Sequence, residues 1–281
     1  MSLKLMYITN KPEIAQIAER AGVDRIFVDM EYIGKKERQG GMDTVQSFHT
    51  VEDVSIIHKS ISKAQLLVRC NPIHNETAAY KSSQFEIDSV VANGADIIML
   101  PFFKTVREVQ QFIGMVDKRV KTMLLLETPE AVEVLDEILK IDGIDEIHIG
   151  INDLSLGYGK KFMFELLADG TIERICKKIK AKNIPYGFGG IASIGNGALP
   201  SEMIIEEHYR LGSSIVILSR SFCNYEKNID KQSVEKIFKK GVKDIRNLEK
   251  NCQNNIYDYK INKNRVKTIV ERIVRTIGTC G

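Results

Sequence analysis

Cysteine is scarce in this chain and never paired. Cys70, Cys176, Cys223, Cys252 and Cys280 are odd in number and widely scattered. There is no C-x-x-C pair and no histidine at zinc-ligand spacing, so a disulfide framework and a structural zinc site are excluded. No apolar run approaches the roughly 20 residues of a membrane span. The opening stretch MSLKLMYITNKPEIAQ also lacks the apolar core of a secretory signal. These absences predict a reduced, cytoplasmic protein with no membrane partner. No G-x-G-x-x-G follows the first apolar run, which removes the main dinucleotide-binding fold. The glycine-rich stretch GFGGIASIGNG (187–197) lacks the lysine of a phosphate-binding P-loop and reads as a mobile loop.

What the chain does have is an ordinary globular composition, 43% hydrophobic and 27% charged over 281 residues. The net charge of +3 is unevenly spread. Residues 231–281 carry 13 Lys and Arg against 5 Asp and Glu, whereas the first 230 carry 27 against 32. A basic tail can meet nucleic acid, but its pattern reads better as the solvated face of helices, and no nucleic-acid partner is expected.

Short aliphatic runs recur at 3–9, 25–30, 65–70, 96–101, 121–127, 146–151, 185–191 and 214–219, each followed by a polar junction and a helical pattern. Ile14, Ile17, Ala18 and Ala21 fall on one helical face before Gly22, and Thr128-Pro129 opens another helix as cap and first residue. Strands alternating with helices imply a parallel sheet covered on both faces. Eight such units in the first 230 residues match a (β/α)8 TIM barrel. In residues 231–281, Val234, Ile237, Phe238, Ile245 and Leu248 form one apolar stripe, and Val266, Ile269, Val270, Ile273, Val274 and Ile277 form a second. These extra C-terminal amphipathic helices must bury their stripes on the barrel or on another subunit, and a neighbouring subunit is expected for at least one.

In such a barrel the chemistry gathers at the C-terminal ends of the strands. Standing there are Asp29 and Glu31 after the second strand, Arg69 after the third, Glu127 after the fifth, and Asn152-Asp153 after the sixth. Alternation puts Glu127 on a row with Met123 and Leu125. A regular sixth strand would put Asp153 on a row with Ile147, Ile149 and Ile151, and His148 on the opposite, packing face. Glu127 and Asp153 should then converge, and two carboxylates without a Cys or His set suit Mg²⁺ or Mn²⁺. Co²⁺ is a further candidate. Arg69 would aim a fixed positive charge at the same centre.

The stretch LLLETPEAVEVLDEILKIDGIDEIHIGINDLSLGYG (124–159) resembles the HpcH/HpaI aldolase and citrate lyase β-subunit family, metal-dependent 2-oxo acid aldolases of the phosphoenolpyruvate/pyruvate superfamily. AGVDRIFVDMEY, LLVRCNP and GADIIMLPFF resemble that family's segments in the same order, so the likeness runs from about residue 3 to residue 222. It implies a TIM barrel, commonly oligomeric through its C-terminal helices, with Glu127 and Asp153 as metal ligands and Arg69 on the 2-oxo group. Backbone amides of Gly150, Ile151, Asn152 and Asp153 would hold the substrate carboxylate. The implied reaction is a class II aldol cleavage or formation through a pyruvate enolate, with a 2-oxo acid and an aldehyde as small-molecule partners. A CoA-thioester lyase of the citrate lyase β or malyl-CoA lyase type, or a non-catalytic binding barrel, are the alternatives.

The chain departs from the pyruvate aldolases at two positions. It has Asp29-Met30-Glu31-Tyr32 where they carry Asp-x-Glu-His, and Leu125 where they often carry Gln. A tyrosine, with a reference pKa of about 10, is a poor base near neutral pH. His49, in the long loop 33–53, is therefore the candidate to take over proton transfer, and Lys35 or Arg38 could meet an anionic substrate. Asp29 and Glu31 either orient a metal-bound water or pair with Arg69. His74 follows Arg69 closely enough to approach the site.

Overall fold

The computed structural model describes residues 2–35, 48–224, 230–254 and 258–279. Eight strands, β1 (Lys4–Ile8), β2 (Arg25–Asp29), β3 (Gln65–Arg69), β4 (Ile97–Leu100), β5 (Lys121–Leu126), β6 (Glu146–Ile149), β7 (Tyr186–Ile191) and β8 (Ile215–Leu218), form a closed barrel in sequence order. All neighbours pair in parallel, β1 with β8 included. Each strand falls inside its expected range. The first part of the glycine-rich stretch read as a loop belongs to β7.

Helices cover the outside. They are α1 (Pro12–Ala21), α2 (Val51–Ser60), α3 (Ser83–Ala92), α4 (Val106–Val116), α5 (Pro129–Glu133), α6 (Leu135–Ile138) and α7 (Ile151–Gly157). There follow α8 (Glu165–Ala168), α9 (Thr171–Lys180), α10 (Ser201–Leu211), α11 (Lys231–Gln253) and α12 (Tyr259–Thr279). Their starts are written in the sequence: Thr50 and Thr105 each make a complete capping box, with Asp53 and Glu108. Thr128 caps α5 with Pro129 in its first turn, as expected. Gly22 and Gly212 end α1 and α10 at φ of 97° and 78°, a region that costs glycine little.

Two apolar layers result. Met6, Phe27, Leu67, Ile97, Met99, Met123, Leu125 and Ile215 fill the barrel interior, while the opposite faces of the strands pack on the helices. The interior is not wholly apolar. Arg25, fully buried, donates from Nη2 to Glu146 Oε1 across the barrel at 2.7 Å, and Lys4 reaches the same oxygen at 3.2 Å.

Glu146 also corrects the expected orientation of β6. Residues aligned across parallel strands point to the same side, and Glu146 and His148 align with Met123 and Leu125 of the interior. His148 therefore faces inward, and Ile147 and Ile149 pack outward against the helices. A barrel strand is buried on both faces, so its apolar row does not identify the inside.

The strand ends at Ile149 and α7 begins at Ile151. Asp153 thus reaches the barrel mouth on the first turn of a helix, not on a continued strand row.

The C-terminal helices pack on the same chain. α11 lies against α1 and α10, burying Val234, Phe238, Val242 and Ile245, and α12 lies against α8 and α10, burying Val266 and Val270. Tyr7 and Phe238 meet edge to face at 4.8 Å, tying α11 to the core. Both stripes thus find cover on this chain over much of their length, and that of α12 opens toward Ile277, which is 44% exposed. Among the described residues no helix is long and apolar enough to cross a membrane.

Candidate active site

At the C-terminal mouth, β2 and β3 end side by side in register, Asp29 beside Arg69. The guanidinium grips Asp29 with two parallel bonds, Nε to Oδ1 at 2.8 Å and Nη2 to Oδ2 at 2.7 Å, and Nη1 lies 3.1 Å from Glu31 Oε2. This planar fork is what an arginine supplies and a lysine does not. Lys35 Nζ adds a bond to Asp29 Oδ2 at 2.9 Å. Burial opposes the ionisation of Asp29, yet Arg69 and Lys35 overcome it and hold the carboxyl well below the usual range. Burial likewise disfavours the Arg69 cation, and Asp29 and Glu31 more than restore it. Lys35 is 5% exposed and committed to Asp29, so it serves the cluster and is not presented to an anionic substrate. Arg38 lies outside the described residues.

Glu127 stands just beyond β5 with 4% of its surface exposed. Its Oε1 accepts the Phe102 N–H at 3.0 Å. Burial, then the nearby Glu31 and Asp153, push its carboxyl well above the usual range, while Arg69 and the Phe102 N–H pull the other way. Glu127 and Asp153 line one cavity of about 430 Å³, whose walls include Phe102, Lys104, Pro129 and Leu156. Asn152 Nδ2 donates to Asp153 Oδ1 at 3.1 Å.

A divalent cation fits this donor set. Among the described residues no cluster of three or more His, Cys, Asp or Glu is poised to hold a metal. A pair of carboxylates nonetheless suits an oxygen-seeking ion that keeps several waters. The raised Glu127 carboxyl agrees with the same assignment, because burial, Glu31 and Asp153 disfavour its charge more than Arg69 and the Phe102 N–H favour it, and a cation would reverse that balance.

The backbone after β6 is divided in its use. The Gly150 N–H donates to Leu126 O at 3.0 Å, so it serves the barrel ladder and not a substrate carboxylate. Ile151, Asn152 and Asp153 form the first turn of α7, where N–H groups have no carbonyl one turn back within the helix. Gly150 has another use: a Cβ there would sit 2.7 Å from Glu127 Oε2 and 2.8 Å from its Cβ.

His49, His74 and His148 each take a structural place. His49 Nδ1 accepts the backbone N–H of Asp29 at 2.9 Å. A backbone N–H can only donate, so the neutral ring carries its proton on Nε2, and neither nitrogen is left as a base in this arrangement. Burial also lowers the His49 pKa. The ring thus props the strand end that carries Asp29. His74 spends both nitrogens on carbonyls of its own loop, Pro72 at 2.8 Å and Lys81 at 2.7 Å. His148 Nε2 bonds Gly189 O at 3.0 Å, and its Nδ1 has no partner among the described residues. Burial takes its pKa down to about 4.

Tyr32 turns from the centre toward the loop after β3, its ring 5.5 Å from that of Tyr80. Its N–H and that of Ile33 both donate to Asn71 Oδ1, at 3.0 and 2.9 Å, and Asn71 Nδ2 donates to the buried Glu86 at 2.8 Å. Asn71, Phe102 and Lys104 were absent from the sequence candidates. The Asn71 side chain and the Phe102 backbone act through geometry that residue type does not announce. Lys104, one of several lysines near strand ends, bears no distinguishing mark in the sequence.

A sequence profile of the HpcH/HpaI aldolase/citrate lyase family matches residues 4–187. No curated protein matches the sequence. Among solved structures, a HpcH/HpaI aldolase/citrate lyase family protein from Burkholderia cenocepacia J2315 is 12% identical with a TM-score of 0.61, over 84% of this chain and 95% of that one. The HpcH/HpaI aldolase of Desulfitobacterium hafniense DCB-2 is 15% identical with a TM-score of 0.59, over 81% and 91%. The citrate synthase SbnG is 14% identical with a TM-score of 0.61, over 81% and 90%. At these identities the neighbours show a shared fold.

Proposed function

The chain belongs to the HpcH/HpaI aldolase/citrate lyase family, and from that premise we propose that it is a divalent-metal-dependent carbon–carbon lyase acting on a pyruvate-type 2-oxo acid. The observation that carries the reading is Glu127: a buried carboxylate, charge-starved and facing a cavity shared with Asp153, within the field of an arginine already locked in place. Members of the family are generally divalent-metal dependent. A cation held by Glu127 and Asp153 would supply a Lewis acid for the carboxylate and keto oxygens of the 2-oxo acid.

The chain's own residues do the rest. Asp29 and Glu31 fix the plane of the Arg69 guanidinium, so the donors not spent on them meet an oxygen that gains negative charge without reorganising. Lys35 and the His49 prop keep Asp29 where it can do this. The first-turn N–H groups of Ile151, Asn152 and Asp153 receive the substrate carboxylate. Phe102, Pro129 and Leu156 give the cavity its apolar wall.

The test begins with oxaloacetate decarboxylation, because loss of CO₂ delivers the enolate without a base at carbon and reads the metal and Arg69 alone. Turnover and pyruvate C3 proton exchange are measured with Mg²⁺, Mn²⁺ or Co²⁺, with and without chelator, and metal binding by calorimetry. Aldehydes are then supplied as second substrates. Acetyl-CoA with oxaloacetate is included because one fold neighbour is named a citrate synthase. No metal-dependent turnover together with no metal binding would sink the reading. The same proposal extends to a homo-oligomer joined through the open end of α12, which sedimentation of the intact protein tests.

A further inference from the structure

We propose that Phe102 is a positioning residue, whose left-handed backbone aims an N–H at Glu127 and so fixes which carboxylate oxygen faces the cavity. It deepens the lyase reading and rests on it for its meaning in catalysis, but the geometry stands without it.

The first observation is conformational. Four described residues other than glycine have positive φ: Phe102, Asp117, Lys118 and Asn183. Three of them sit in turns that lead into β5 and β7 at the far end of the barrel, where Asp117 and Asn183 enter this region readily and Lys118 follows Asp117 in the same turn. Phe102, at φ 47°, stands at the C-terminal mouth, just past β4, and a bulky aromatic gains nothing locally from that conformation. The next residue, Phe103, is the buried one at 2% exposure, while the Phe102 ring lines the cavity beneath Lys104, whose Nζ lies 5.4 Å from its centroid.

The second observation is what the conformation accomplishes. The Phe102 N–H reaches Glu127 Oε1 at 3.0 Å, and the carbonyl of Phe103 accepts the Thr128 hydroxyl at 2.7 Å. Two consecutive residues after β4 thus clasp two consecutive residues after β5. Thr128 is meanwhile the cap of α5, so the clasp is anchored in a helix start.

The third observation comes from the opposite side. Gly150 has an ordinary φ of −79°, so its backbone would accept any residue. Its side of the site has no room: a Cβ would lie 2.7 Å from Glu127 Oε2 and 2.8 Å from Glu127 Cβ. Glu127 is held between a donor on one oxygen and a bare α-carbon beside the other. A longer-range reading, in which the Phe102 N–H merely finds the nearest acceptor, explains neither the strained φ nor the reserved space.

The decisive experiment replaces Phe102 by its α-hydroxy analogue, phenyllactate, which exchanges the N–H for an ester oxygen and leaves the ring in place. Mn²⁺ binding by calorimetry should weaken on the order of tenfold, as expected for a lost hydrogen bond to a charged group. Phe102→Gly keeps the N–H and enters positive φ freely, so its Mn²⁺ affinity should stay near that of the unaltered protein. Gly150→Ala should displace the Glu127 carboxylate from the Phe102 N–H in a ligand-free crystal structure and weaken Mn²⁺ binding similarly. Should the ester-bearing protein not fold, Gly150→Ala decides alone. Glu127 unmoved in Gly150→Ala, or Phe102→Gly losing as much affinity as the ester, would overturn the proposal. If the unaltered protein binds neither Mn²⁺ nor Mg²⁺, the lyase reading falls, and the Glu127 position in the ligand-free crystals still tests the positioning.

Discussion

His148 offers a direct measurement of what the barrel interior costs. The ring is 1% exposed, donates from Nε2 to Gly189 O, and has its pKa taken down to about 4 by burial, with Arg25 and Arg69 adding to the effect and Glu146 opposing it. In the unfolded chain the same ring titrates near 6.5. As the pH falls from 6.5, the unfolded state takes up a proton that the folded state refuses until about pH 4. Stability is therefore full above the unfolded value and is lost through this window. Between pH 7.5 and 4.5 the loss from this one ring is about 2.5 kcal/mol, from linkage with those two pKa values. His148→Gln keeps a donor for Gly189 O and cannot titrate. The assay is urea unfolding of both proteins at the two pH values. Taking the difference between variant and parent cancels the carboxylates that titrate in the same range. The pH-dependent part of that difference should favour the variant at pH 4.5 by about 2.5 kcal/mol. Equal pH dependence of the two proteins would refute the inward, neutral placement of the ring.

Other consequences follow from the same contacts. Arg25→Met leaves the buried Glu146 with Lys4 as its remaining cation and should destabilise by about 3 kcal/mol in denaturant titrations, and adding Glu146→Leu should recover most of the loss. Glu127→Gln and Asp153→Asn should each abolish metal binding in calorimetry. Glu127→Gln should at the same time raise the melting temperature, because burial, Glu31 and Asp153 make the Glu127 charge a burden to the fold. Thr105→Ala removes a complete capping box and should cost about 1 kcal/mol of stability, read by thermal unfolding.

The barrel was legible in the sequence because each strand is a compact aliphatic run bounded by polar junctions, and eight of them alternate with helical stripes. Asp29, Arg69 and Glu127 were legible for the same reason: a charge that ends an apolar run has few places to go except the mouth. The orientation of β6 was not legible. In EIHI the isoleucines look like the inward row, but both faces of the strand are buried, and the interior takes Glu146 and His148 because Arg25 is there to meet the first of them. Asp153 was placed near Glu127 by a wrong route, a continued strand, where the chain in fact turns at Gly150 into α7. His49 was chosen for its chemistry, whereas its ring turns out to be an acceptor for a backbone N–H. Backbone uses of this kind, Phe102 among them, leave no mark in residue type.

The Asn71 amide has a consequence for the order in which the molecule assembles. One side chain collects the N–H groups of Tyr32 and Ile33 from the segment after β2 and hands its own N–H to Glu86 on α3. The segment that leaves β2 at Tyr32 and Ile33 thus lacks these contacts until the following strand and helix have docked. A nascent barrel with only its first two strands formed would hold this segment as a loose tail. On refolding, the Tyr32 and Ile33 amides should gain hydrogen-exchange protection together with β3 and α3 and later than β2 itself, so this side of the barrel mouth matures one unit behind the strands that support it.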